Sequence, residues 1–223
     1  METQRMAAPL GAESKPKKKK KKIQVKSPTQ ERSRQTVATI LEACSKILVH
    51  EGFFGVTTDK IAKEAGVSIG SLYQFFGNKE SVVSAVIHNM FRMDLEYLAG
   101  RVKSLENLST LQDKVRQFIE IGIETYTRNA SLRAKLQNIQ TYLTDEAFYQ
   151  STMKAYQDMV MKYIPVPKDR DQQKVAYLFV TSFVGLMDRA VIEVANLAQD
   201  KVFKEEAFRL FSRYLEPSQR SES

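Results

Sequence analysis

The sequence predicts an all-α fold in which a small three-helix unit leads into a larger helical domain, and three observations predict it. Only 9 Gly and 6 Pro occur in 223 residues, too few for the many turns of a strand-rich chain. Apolar residues recur every three or four positions, and no stretch of useful length alternates with period two. Two short helical segments meet at Gly66, with a thin apolar seam on one side. A hydrophobic content of 43% is enough to bury a core.

The elements follow in order. Residues 1–28 hold Pro9, Gly11, Pro16 and the run Lys17, Lys18, Lys19, Lys20, Lys21 and Lys22. Adjacent like charges repel and offer nothing to bury, so a disordered basic arm is expected. From Thr29 a helix is carried by Val37, Ile40, Leu41, Cys44, Ile47 and Leu48 and stopped at Gly52, after which Phe53 and Phe54 are expected to enter the core. Thr57 is an N-cap for a second helix to Ala65, Gly66 supplies a left-handed corner, and Ser68 caps a third helix from Ile69 to about Phe75. A fourth begins near Asn78, with Glu80 in its first turn, and runs to about Arg101. Further helices are expected near 109–128, 131–139, 145–163, 169–198 and 201–214, with Pro165 and Pro167 between the third and fourth of these. The expected organisation is an arm (1–28), a three-helix domain (29–77), a helical domain (78–216) and a short tail (217–223).

Charge and composition exclude several functions. Of the net charge of +8, all lies in residues 1–34, where eight Lys and three Arg face three Glu; the other 189 residues balance 23 basic against 23 acidic side chains. The lone Cys44 permits no internal disulfide and suits a reducing compartment. The longest uncharged apolar-rich run, Val175 to Met187, has 13 residues. A membrane span needs roughly 20, so no membrane partner and a cytoplasmic location are expected. His50 and His88 have no partners at metal-ligand spacing, and there is no Gly-rich phosphate loop. No metal, cofactor or catalytic residue is called for, and an enzyme is the least favoured reading.

The region from Thr57 to Glu80 carries the chemistry. A helix enters a major groove when its outer face is small or polar enough to approach base edges. With Leu72 and Phe76 turned inward, Ser68, Ile69, Gly70, Ser71, Tyr73, Gln74 and Phe75 remain for other surfaces. Ser71 and Gln74 can donate and accept, Ile69 can touch a thymine methyl, and Gly70 permits close backbone approach. Tyr73, Thr58 and Lys79 suit phosphate oxygens, the latter two beside free helix-terminal N–H groups.

Ile61-Ala62, Ala65-Gly66-Val67-Ser68, Gly70, Leu72-Tyr73, Phe76 and Lys79-Glu80 together resemble the signature of the TetR family of bacterial transcriptional regulators. The resemblance covers roughly residues 32–90. It implies a three-helix DNA-binding domain, a divergent helical regulatory domain, a homodimer formed through the last two long helices, and release from operator DNA when a small effector binds. By the same resemblance Thr58, Tyr73 and Lys79 hold phosphates of double-stranded operator DNA, and Ser68, Ile69, Gly70, Ser71 and Gln74 lie over bases. Phe75 departs from the hydrophilic or histidine residue expected there. A helical small-molecule-binding protein without specific DNA function is the alternative, distinguished by the absence of tight binding to a palindrome.

In the second half, the helix near 169–198 is apolar nearly all round, which predicts burial on most faces. With the last helix it forms the candidate two-fold four-helix interface, where Gly185, Phe208 and Phe211 are the chosen contacts. Aromatic residues of the middle helices, Phe91, Phe118, Tyr126, Tyr142, Tyr156, Phe179 and Phe183, are candidates for an effector pocket. No acids or bases stand out as facing a cavity, so the expected effector is hydrophobic or aromatic.

Overall fold

The computed structural model describes residues 31–217, and among these ten α-helices and one 3-10 turn make up the secondary structure, with no strand. The Lys17–Lys22 run lies outside the described residues. The first helix, α1 (Glu31–Gly55), is broken at Gly52, whose φ of 69° lies in the left-handed region. Phe53 packs partly into the core, but Phe54 is 92% exposed, against expectation. Neighbours in sequence cannot both turn inward after that step, and Phe54 is left edge-on to Phe53 at 5.8 Å.

Side-chain caps mark the next three starts. Thr57 Oγ1 accepts from Lys60 N at 3.2 Å ahead of α2 (Thr58–Glu64), and Ser68 Oγ accepts from Ser71 N at 3.0 Å ahead of α3 (Ile69–Phe75). Between them Gly66 adopts φ 67°, where any Cβ would be strained. Helix α4 (Lys79–Arg101) begins with a reciprocal box: Ser81 N donates to Asn78 Oδ1 at 2.8 Å, and Asn78 N donates to Ser81 Oγ at 3.2 Å.

A 3-10 turn (Val102–Asn107) leads to α5 (Leu111–Thr127), α6 (Ala130–Leu136), the single-turn α7 (Gln140–Leu143), α8 (Glu146–Tyr163), α9 (Gln172–Glu193) and α10 (Lys201–Leu215). Asp145, Asp171 and Asp200 cap the last three. The single helix expected near 131–139 is instead α6 with a turn before α7. The helix expected to reach Ala198 ends at Glu193, and Asn196 takes a left-handed φ of 54° in the following turn.

Two apolar clusters hold the chain. The first joins Ile40, Cys44 and Leu48 of α1, Ile61 of α2, Leu72 and Phe76 from α3 and its C-cap, and Val82, Val83, Ile87 and Met90 of α4. Leu136 of α6 also belongs to it, with Leu132, Ile139, Leu143 and Phe148 packed alongside. Burial pushes the Cys44 thiol up to about 12, which makes it unreactive. The second cluster fills the space between α5, α8, α9 and α10 around Ile119, Tyr156, Phe179, Phe183, Met187 and Phe211.

An 18-residue stretch of α9 has a mean hydropathy of 1.6, and by length and composition alone the helix is apolar enough to cross a membrane. In the fold it packs against α5, α6, α8 and α10. Its remaining face is uncovered, with Tyr177, Leu178, Gly185 and Ile192 exposed, so it is less enclosed than its composition predicts. Phe211 is not available to a partner molecule: it is buried against Phe179 and Phe183, at 5.0 and 5.4 Å between ring centroids. Phe208 is half-covered by the Arg116 guanidinium, 3.9 Å from its ring.

Candidate nucleic-acid interface and effector cavity

The first site is built by α2, the Gly66 corner and α3. Leu72 and Phe76 anchor α3 from beneath, leaving Ile69, Gly70, Tyr73 and Gln74 exposed on its outer side. The Tyr73 hydroxyl and Thr58 Oγ1 are 3.2 Å apart, so the end of one helix and the middle of the other present paired hydroxyls. A Cβ added at Gly70 would meet nothing nearer than Ser68 Oγ at 3.8 Å, so packing within the protein does not require glycine there. Ser68 and Ser71 differ from a pair of independent readers, because their hydroxyls bond each other at 2.8 Å while Ser68 caps α3. Lys79 folds back over the Phe53 ring, 4.5 Å from its centroid, with Nζ 3.5 Å from the Phe53 carbonyl oxygen it donates to. Phe75 is half-buried against the first cluster, which accounts for an aromatic residue at that position.

The candidate pocket residues separate into three groups. Phe118, Tyr126, Tyr156 and Phe183 line a tight apolar slot of about 30 Å³ in the second cluster. Phe91 lies elsewhere, on a larger cavity of about 340 Å³ between α4, α7, α8 and α9, lined also by Gln140, Thr141, Thr144, Glu146, Tyr149, Met153, Val184 and Asp188. Val184 borders both spaces. The other two candidates line neither. Tyr142 is 84% exposed because the single turn of α7 turns it outward, and Phe179 is enclosed among Phe118, Phe183 and Phe211.

The larger cavity overturns the expectation that no acid faces a pocket, since Asp188 and Glu146 lie on its wall. Behind Asp188 a charge cluster is buried. The Arg133 guanidinium bonds Asp94, lies 4.0 Å over the Tyr126 ring, and is 3.8 Å from Asp188 Oδ1. Burial raises the Asp94 carboxyl to about 6 and the Asp188 carboxyl above its ordinary value, although Arg133 pulls both down. Arg189, the neighbour of Asp188, pairs with Glu193 on its own helix. These residues escaped the sequence reading because Asp94, Arg133 and Asp188 come from three distant helices. The available signal was positional: Asp94 falls three or four residues from Met90, Phe91 and Leu98, on the inward stripe of α4.

A helix presented by a left-handed corner, with a bare glycine and paired hydroxyls on its outer face, has the geometry of a helix-turn-helix. Residues 40–86 match the family model for bacterial regulatory proteins of the tetR family. The helix-turn-helix-type transcriptional regulator HbdR of Aromatoleum sp. (strain CIB) is 35% identical over 51 residues, which is 23% of this chain and 22% of that protein. An uncharacterised helix-turn-helix regulator of Bacillus subtilis, YvdT, is 27% identical over 74 residues, covering 33% of this chain and 38% of that one. The matched segments thus span well under half of these relatives.

Solved structures share the fold over more of the chain. A TetR-family regulator from Streptomyces coelicolor superposes with a TM-score of 0.59 at 23% identity, covering 82% of this chain and 97% of that one. The regulator FadR of Bacillus subtilis, solved with stearoyl-CoA, superposes at 0.58 and 16% identity, covering 80% and 99%.

Proposed function

We propose that the protein is a transcriptional repressor that binds a pseudo-palindromic operator as a homodimer and leaves it when a small effector enters the helical domain. The observation that carries this reading is the outer face of α3, capped by Ser68 and free of contacts around Gly70, which suits a recognition helix lying over bases. Ile69, Gly70 and Gln74, with the linked Ser68 and Ser71, take the base edges; Thr58, Tyr73 and Lys79 take flanking phosphates. Lys79 needs only to swing from the Phe53 ring to do so.

A homodimer is supported by the apolar stripe left open on α9 and α10, where Tyr177, Leu178, Gly185, Val202 and Leu210 are exposed. At Gly185 a Cβ would meet nothing within 4 Å, so a facing helix has room to approach. The basic arm, Lys17 to Lys22, supplies the net positive charge that residues 35–92 lack, their five Lys and Arg being matched by five Asp and Glu. The function needs no catalytic step and operates in the cytoplasm.

Selection of DNA from a random pool by the full-length protein tests this. An enriched site with two half-sites about 10 base pairs apart, centre to centre, or a multiple of that spacing, is expected. Weak binding without sequence preference would favour a ligand-binding protein without DNA function. Deleting residues 1–26 lowers affinity and flattens its salt dependence, and an unchanged slope would remove the arm from the mechanism.

A further inference from the structure

The cavity on α4, α7, α8 and α9 has a charge problem that its walls do not solve. Arg133 is shared by two carboxylates, and Asp94 holds it in direct contact while Asp188 stands off at 3.8 Å. Arg128 lies farther out, over the Tyr97 ring, and its charge acts on Asp94. Asp188 is therefore a largely covered carboxylate, its side chain 31% exposed, with half of one cation to balance it. Its open side faces the cavity, where a second carboxylate, Glu146, and the aromatic residues Phe91 and Tyr149 also stand. Thr144, on the same wall, has a buried Oγ1 without a hydrogen-bond partner. Each feature favours the same guest: a positive charge beside a carboxylate and over aromatic rings, carrying N–H groups for a hydroxyl acceptor.

We propose that this cavity binds an amphipathic organic amine, whose ammonium group takes Asp188 as its counter-ion and whose apolar body lies along Phe91, Met153 and Val184. Because Val184 also walls the apolar slot around Phe118 and Phe183, an extended body has a route deeper into the second cluster. Binding has a path to DNA. An ammonium that draws Asp188 away from Arg133 alters the anchoring of α6, the helix that carries Arg133 and places Leu136 in the first cluster against α1. The binding claim stands on the cavity alone, whereas the effector claim rests on the regulator reading above.

The test uses the full-length protein and three probes with one ring system: 2-(1-naphthyl)ethylamine, 2-(1-naphthyl)ethanol and 1-naphthylacetate. Titration calorimetry at fixed ionic strength should find the amine roughly tenfold or more tighter than the alcohol, and the carboxylate weakest. Asp188→Asn should bring amine and alcohol to within about threefold of each other. Glu146→Gln, at the first turn of α8 and exposed, should reduce the preference less, and it carries the test if Asp188→Asn fails to fold. An amine no tighter than the alcohol, a preference untouched in both variants, or no binding by any probe overturns the proposal. Displacement from the selected operator is read separately. Amine binding through Asp188 that leaves DNA bound would keep the ligand site and remove its effector role, while loss of specific DNA binding altogether would overturn the regulator reading and not the site.

Discussion

The two cores of this molecule are built on different terms. The cluster beneath α3 is closed by apolar side chains with the neutral Cys44 and Met90 among them, and Thr57, Ser68 and Asn78 cap the helix starts around it. The region behind the larger cavity encloses an arginine, an aspartate and two tyrosines whose hydroxyls burial keeps neutral. A wholly apolar core gains from every group it buries. A core with an internal ion pair loses solvation that the pairing only partly returns, so such a pair points to a task other than stability. Here the task we assign is to hold α6 in place while leaving Asp188 available to a guest.

The largest effect should come from breaking the buried pair. Arg133→Ala leaves the buried Asp94 without a partner and removes the cation beside the partly covered Asp188, and should cost about 3–5 kcal/mol in a urea unfolding titration. The paired replacement of Asp94→Leu with Arg133→Met removes both buried charges, leaves only the partly exposed Asp188 without its cation, and should recover most of that loss. A double variant as damaged as the single one would show that the pair is a net stabiliser and undo the contrast between the cores. Leu72→Ala probes the other side, and should cost about 2–5 kcal/mol because a fully buried side chain is removed from a packed site. A loss below about 1 kcal/mol would mean the first core is not tightly packed.

At the DNA face the expected effects are smaller and differ in kind. Gln74→Ala should cost about 1–3 kcal/mol on the selected operator and little on other sequences, and Lys79→Ala should weaken binding to all sequences alike. The reverse pattern in anisotropy titrations would exchange the two roles. A further effect concerns pH. Burial raises Asp94 to about 6 from an ordinary 3.8, so between these values the folded protein binds more protons than the unfolded chain. The contribution of this group to stability therefore falls as pH rises from about 4 to about 6 and is level above that. Relative to Asp94→Asn, the wild type should lose stability across that window. Arg133, Arg128 and Asp188 all act on this carboxyl, and a flat difference would mean that the two arginines hold it near its unfolded value.

What could be read from the sequence was what acts over a few residues. Thr57, Ser68 and Asn78 each bond a backbone group three positions away, and Gly66 sets its own φ, so α2, α3 and the start of α4 were legible in order. The same reasoning failed where a side chain is placed by distant elements. Phe54 was expected in the core and Tyr142 on the pocket wall, and both stand in solvent. Phe211 was read as an interface residue from the apolar pattern of α10, yet the rings of α9 claim it first. The charge cluster behind the larger cavity is the extreme case, since Arg133 meets an aspartate 39 residues away. No local pattern links them.

Leu136 has a consequence for how such proteins can be recombined. It lies well past α4 in the chain, yet it is fully buried in the first cluster beside α1 and α4. A fragment cut after Arg101 would carry every residue of the recognition face but leave that seam open to water. A chimaera that grafts this reading head onto another sensor must bring α6 with it, or find a substitute ridge of the same shape. The unit that can be exchanged is therefore discontinuous in sequence.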